Sequence, residues 1–252
     1  MPSWIGRSFR VGIVTTRYPE KPADGAEVPE TGRGPVATAP ALPSPAAIAN
    51  CPTAAISGEG VDQGKCIRCA RCLAQGFAFR GAVEAATGAR AALLQGGPAP
   101  PAAQVVDALP PLPRFGRSLH VFLVDAGSCN ACNLEVFALA NPFYDSQRLG
   151  IFFTNSPRHA DVLLVVGVPT GPMVEPVRRA YGALPAPKVV VAVGACAISG
   201  GAFAGTAGLG PALDELVPVS LYVPGCPPTP VAILDALLRA VGRGRPREEA
   251  RA

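Results

Sequence analysis

The chain has 252 residues, of which 49% are apolar and only 16% charged, a balance that excludes a chain disordered overall and predicts a surface largely covered by other subunits. Its net charge of +4 is small and scattered, which argues against a nucleic-acid partner. The longest apolar runs, residues 162–168 and 189–193, fall far short of the roughly 20 residues that cross a bilayer, so any membrane association is expected to be peripheral, through partner subunits.

Residues 1–10 lack the apolar core of a secretory signal, and the chain is expected to stay in the cytoplasm. Residues 1–45 read as an N-terminal arm and linker, the part from 19 on being rich in Pro, Gly, Ala and Thr. Residues 46–95 form a short cysteine-bearing unit, in which the alanine-rich stretch 83–94 is expected to be one helix. Six prolines make residues 96–114 a semi-extended spacer. From 115 to 243 strands and helices alternate. Strands are predicted at 119–124, 150–154, 161–166, 188–193 and 221–223, and helices at 132–140, 173–181 and, amphipathic, at 229–241. Such short, continuously apolar strands separated by helices predict a parallel sheet covered on both faces. Residues 244–252 read as a solvated basic tail.

Eight cysteines fall into two sets of four with none left over. Neighbours two residues apart in a reducing cytoplasm are better placed to share a metal than to form disulfides. In the first set Cys66, Cys69 and Cys72 form a C-x2-C-x2-C run, and Cys51 stands apart in a Cys-Pro pair. A bacterial ferredoxin repeats C-x2-C-x2-C-x3-C-P, and the last cysteine of each motif serves the other cluster. Here Ala47 and Gly76-Phe77 stand where cysteines of one cluster would be, so both losses strike the same site. The four survivors are the ligands one complete 4Fe-4S cluster requires, with residues 60–64 as the turn between the halves. Zinc prefers two C-x2-4-C pairs and suits the triple run poorly.

The second set is Cys129 and Cys132, between the first strand and its helix, with Cys196 after the fourth strand and Cys226 after the fifth. Ligands of open parallel sheets sit outside the carboxyl ends of the strands, so these four cysteines are expected to converge at one edge. Helix N-terminal amides favour thiolates there, and Gly127, Gly194 and Gly225 let backbone N–H groups approach. Spacing alone leaves zinc open at this second site.

From residue 119 to 241 the chain resembles the small iron-sulfur subunit of membrane-bound, formate hydrogenlyase-type nickel-iron hydrogenases, which is similar to the 20 kDa iron-sulfur protein of respiratory complex I. The resemblance rests on DAGSCNAC (125–132), NSPRHADVLL (155–164), VGAC (193–196) with SGG (199–201), and VPGCPPTP (223–230). It implies a flavodoxin-like α/β domain in which Cys129, Cys132, Cys196 and Cys226 hold a 4Fe-4S cluster beside the catalytic site of a large partner. It likewise implies membrane subunits of the same complex and a redox donor or acceptor protein as further partners, and a place on the inner face of the cell membrane. Complex I relatives carry two adjacent cysteines at the first position, whereas Cys129-x-x-Cys132 follows the hydrogenase type. Ala126 and Asn133 depart from the formate hydrogenlyase form, which leaves open a related complex without nickel.

The N-terminal third, including SFRVGIVTTRYP (8–19), resembles the two-cluster ferredoxin subunit of the same complexes with one cluster lost, an α+β ferredoxin-like domain fused to its neighbour. The whole chain would then carry electrons through two 4Fe-4S clusters and hold no catalytic residue. A zinc-bound or metal-free scaffold is the competing class. Arg158 and His159 are candidates for the cluster surroundings or an interface, and Glu135 is expected to compensate the dipole at the start of its helix.

Overall fold

The computed structural model describes residues 15–21, 36–37, 43–79, 85–95 and 118–244. The proline-rich spacer, most of the N-terminal arm and the basic tail lie outside the described residues.

The larger unit is built on strands β6 (Leu119–Asp125), β7 (Ile151–Phe153), β8 (Val162–Val166), β9 (Val189–Val193) and β10 (Leu221–Val223). They are all parallel, in the order β10-β9-β8-β6-β7. Numbered from the first strand of the unit this is the 2-1-3-4-5 order of a flavodoxin-like sheet, in keeping with the alternation of elements along the chain. Every residue of β8 and β9 is buried, and the two faces separate with period two. Val162, Leu164 and Val166 enter one core with helices α2 (Ala131–Ala138) and α6 (Pro230–Ala240); Leu163 and Val165 enter the other with α3 (Val174–Ala183), α4 (Gly194–Ser199) and α5 (Leu213–Leu216). Covering on both sides is why these strands read as unbroken apolar runs rather than alternating ones.

Helix α6 starts as its sequence prescribes: Thr229 caps it by accepting from the Ala232 N–H, and Pro230 occupies its first turn. Ten of its eleven residues are buried, and Tyr18 of the N-terminal segment is buried in the same core. The Tyr18 hydroxyl donates to Asp235 Oδ1 at 2.7 Å, and Arg239 Nε donates to Asp235 Oδ2 at 2.7 Å. Asp235 itself is 0% exposed.

The smaller unit contains α1 (Pro45–Asn50) and a three-stranded antiparallel sheet of β2 (Ile56–Ser57), β3 (Gly60–Asp62) and β5 (Leu94–Gln95); β1 (Val36–Ala37) pairs with β4 (Ala78–Phe79). Two expectations are corrected here. Residues 60–62 are strand, not turn, and the reversal falls at Gly58 and Glu59 between β2 and β3. The alanine-rich stretch is not one helix: Ala89 is extended, a single 3-10 turn spans Arg90–Leu93, and Leu94 and Gln95 pair with β3. Helix propensity is overridden because Leu93 is 1% exposed in the same core as Ile198 and Tyr222 of the larger unit.

The two units therefore meet. Thr87 and Tyr222 exchange backbone hydrogen bonds at 3.0 and 2.8 Å along the outer edge of β10, and Ser199 Oγ donates to Gly64 O at 2.9 Å.

Candidate metal centres

Strand β6 ends at Asp125, whose carboxylate organises the loop bearing Cys129. Its Oδ1 accepts from the N–H groups of Gly127 and Ser128 at 2.9 and 2.8 Å. Its Oδ2 accepts from Ser128 Oγ at 2.9 Å and from Asn133 Nδ2 at 2.6 Å. Ser128 Oγ in turn accepts from the Asn130 N–H and from Asn133 Nδ2. Burial alone would raise the Asp125 carboxyl, but the hydrogen bonds from Asn133, Gly127 and Ser128 outweigh it and hold it below the usual range. Sequence reasoning misses Asp125, Ser128 and Asn133 as site residues; the Asp125-x-x-Ser128 spacing of a local side-chain turn is the available signal.

Cys132 lies in the first turn of α2. Two strands away from β6, β9 passes into α4 at Gly194, where φ is +87° and a Cβ would stand 2.7 Å from Cys132 Sγ. Two residues on is Cys196, whose sulfur would be 3.0 Å from a Cβ at Gly201. The Ala195 N–H donates to Gly225 O at 2.8 Å, joining the Cys196 helix to the loop of Cys226, and Gly225 packs directly on Pro228. The carboxyl ends of three strands thus bring Cys129, Cys132, Cys196 and Cys226 together.

The thiols sense one another. Burial, and then the charges of Cys196, Cys226 and Cys129, push Cys132 up to about 12. Burial followed by Cys226 and Cys129 pushes Cys196 up to about 11. Four thiolates held this close repel one another, and a cationic core at their centre reverses that penalty.

The first set is arranged around a cleft lined by Cys51, Cys66, Cys69 and Cys72 with apolar walls from Ile56, Val61 and Phe79. Cys51 follows α1 and accepts from the Ala55 N–H at 3.2 Å; Cys66 accepts from the Arg68 N–H at 3.4 Å. Between the cysteines the backbone turns left-handed at Arg68 (φ 53°) and Ala70 (φ 69°). Non-glycine residues adopt this conformation at a cost and only where the surroundings fix it. Burial lifts Cys66 to about 11, opposed by the Arg68 N–H and guanidinium and reinforced by Cys72 and Cys51.

All eight cysteines are free thiols. Among the described residues no group of three or more His, Cys, Asp or Glu side chains closes at the spacing of one ion, where sulfurs would stand about 2.3 Å from the metal. The two donor sets consist of cysteine sulfur alone, the ligand type that holds iron-sulfur clusters.

The remaining candidates fare differently. Glu135 sits in the second turn of α2, one turn later than dipole compensation requires, and burial raises its carboxyl; its charge is felt at Cys132. Arg158 and His159 are exposed in the 3-10 turn Pro157–His159. That turn enters β8 at its amino end, opposite the cysteine edge, so the structure does not bring them to the thiols.

Residues 129–240 match the family described as NADH ubiquinone oxidoreductase, 20 Kd subunit. The chain is 45% identical over 127 residues to the probable membrane-bound hydrogenase subunit mbhJ of Pyrococcus furiosus, which covers 50% of this chain and 76% of that protein. The chain belongs to this family. It is also 44% identical over 131 residues to formate hydrogenlyase subunit 7 of Escherichia coli, covering 52% of this chain and 51% of that protein, so it spans about half that relative's length. To an NADH-quinone oxidoreductase subunit of Desulfovibrio desulfuricans it is 39% identical over 140 residues, covering 56% and 75% respectively. The family match begins at Cys129, and the unit bearing Cys51, Cys66, Cys69 and Cys72 lies outside it.

Proposed function

We propose that this chain is an electron-carrying subunit of a membrane-associated oxidoreductase complex, with one 4Fe-4S cluster on each cysteine set. The observation that carries the reading is the gathering of eight free thiols into two all-sulfur sets, each cysteine set coupled within itself and the two units docked on each other. Such a cluster, when bound, takes up and releases single electrons without bonding to a substrate. The residues around it supply what that needs: sulfur donors, N–H groups aimed at sulfur, and a wired loop that changes little when charge changes.

Hydrogenase-type complexes are favoured over complex I. The identities of 44% and 45% to two hydrogenase-complex subunits exceed the 39% to the NADH-quinone oxidoreductase relative, and the C-x-x-C opening at Cys129 points the same way. In this reading a large catalytic subunit docks near Cys129, and a separate redox protein exchanges electrons with the Cys51 set. Among the described residues no helix is long and apolar enough to cross a membrane; attachment to the membrane would run through partner subunits.

Anaerobic reconstitution with iron and sulfide, followed by metal analysis and EPR of the dithionite-reduced chain, tests this. Roughly eight irons and eight sulfides per chain are expected, falling to about four in Cys66→Ser and in Cys196→Ser. Zinc in place of iron, or one cluster in the unaltered chain, would overturn the two-cluster reading. Nickel in the complex purified with this chain would identify the hydrogenase type; its absence there would favour the nickel-free relative.

A further inference from the structure

Arg68 belongs by sequence to the first cysteine run and by contact to both sites. Its backbone N–H donates to Cys66 Sγ at 3.4 Å, while its Nη2 donates to Pro224 O at 3.0 Å, across 156 positions of sequence. Pro224 lies two residues before Cys226, in the last ligand loop of the second set. The side chain thus reaches from between the ligands Cys66 and Cys69 to the loop that presents Cys226.

This contact does not stand alone. Ser199 Oγ, three residues after Cys196, donates to Gly64 O, two residues before Cys66. Gly64 lies so close to α4 that a Cβ there would stand 2.7 Å from Ile198 Cγ2. Loops that carry ligands of one set are therefore clamped to loops that carry ligands of the other.

A partly buried guanidinium stays charged, and its desolvation is offset by negative charge nearby. Four thiolates outweigh the positive charge of an iron-sulfur core, so a loaded site is net negative and becomes more so on reduction. A fixed cation between two such sites favours the reduced form of each.

We infer that Arg68 is a positioning residue shared by the two sites: clamped to the Cys226 loop through Pro224 O, it holds the two cysteine sets face to face and raises the reduction potential of both with a single charge. The inference rests on the two-cluster reading above.

The test uses the full chain, reconstituted anaerobically with iron and sulfide, in unaltered form and as Arg68→Lys and Arg68→Gln, with EPR-monitored redox titration. Arg68→Gln should lower both midpoint potentials, each by a change approaching tenfold in the reduction equilibrium, about 59 mV for one electron. Arg68→Lys should keep most of both. Unchanged potentials in Arg68→Gln, movement of only one cluster, or equal shifts in the two variants would overturn the assignment, since a purely structural clamp does not distinguish by charge. Should Arg68→Gln fail to load, the unaltered chain still decides: fully reduced, it should show magnetic coupling between the two clusters, and two uncoupled signals would overturn their juxtaposition. Finding a single cluster in the unaltered chain would instead remove the two-cluster reading itself, which the iron count reveals separately.

Discussion

Asn133 Nδ2 donates to Asp125 Oδ2 at 2.6 Å, and this one bond ties the first buried turn of α2 to the end of β6 across the loop that presents Cys129. Asn133→Leu removes it together with the bond to Ser128 Oγ. Hydrogen bonds to charged groups contribute about 1.5–3 kcal/mol each, so the variant should unfold at lower denaturant concentration. It should also release iron from the second site faster, with the first site unaffected. Denaturant titration of the apo chain and iron release to a chelator measure the two effects.

The Asp125 carboxyl also sets a pH dependence. Because its folded value is lowered, its contribution is present above the ordinary carboxylate value of about 3.9 and is lost as pH falls through the lowered folded value. Acid titration of stability should therefore show a carboxylate-dependent decline from which Asp125→Asn removes one part. Equilibrium unfolding between neutral and acid pH reads this directly.

Gly194→Ala places a methyl group 2.7 Å from Cys132 Sγ at a residue with φ of +87°. The left-handed conformation alone costs roughly 1–2 kcal/mol for a non-glycine residue, and the sulfur must shift as well. Loss of the second site with retention of the first is expected, so iron content should halve. Gly182→Ala is the control: it lies in α3 with nothing within 4 Å of an added Cβ, and should be neutral or stabilising by about 0.5–1 kcal/mol.

Tyr18→Phe withdraws a hydroxyl from a carboxylate that has no exposure to water. The cost should be about 1–3 kcal/mol. Arg239→Met, which leaves Asp235 without its cation, should cost more, about 3–5 kcal/mol. Urea unfolding followed by circular dichroism ranks the two, and the reverse ranking would mean that Asp235 depends chiefly on the N-terminal segment.

Much of this is legible in the chain itself. Residues 162–166 and 189–193 announce buried parallel strands because both faces of each are apolar, and the glycines and cysteines that follow the strands mark the carboxyl edge. What is not legible depends on which surfaces meet. Residues 83–94 have the composition of a helix, yet Leu93 is drawn into the core with Ile198 and the chain extends to pair with β3. Asn133 reads as a departure from a pattern, and its place in the Asp125 network emerges only once the helix start is fixed in space. Arg68 reads as a spacer between ligands; nothing local to C-I-R-C says that its side chain reaches Pro224.

The paired backbone bonds between Thr87 and Tyr222 carry a practical consequence. They close the free side of β10, and an uncovered strand edge is a template for pairing with another chain. A fragment trimmed to residues 118–244, which keeps all five strands of the larger unit, would expose that side and should self-associate, whereas the intact chain carries its own stopper.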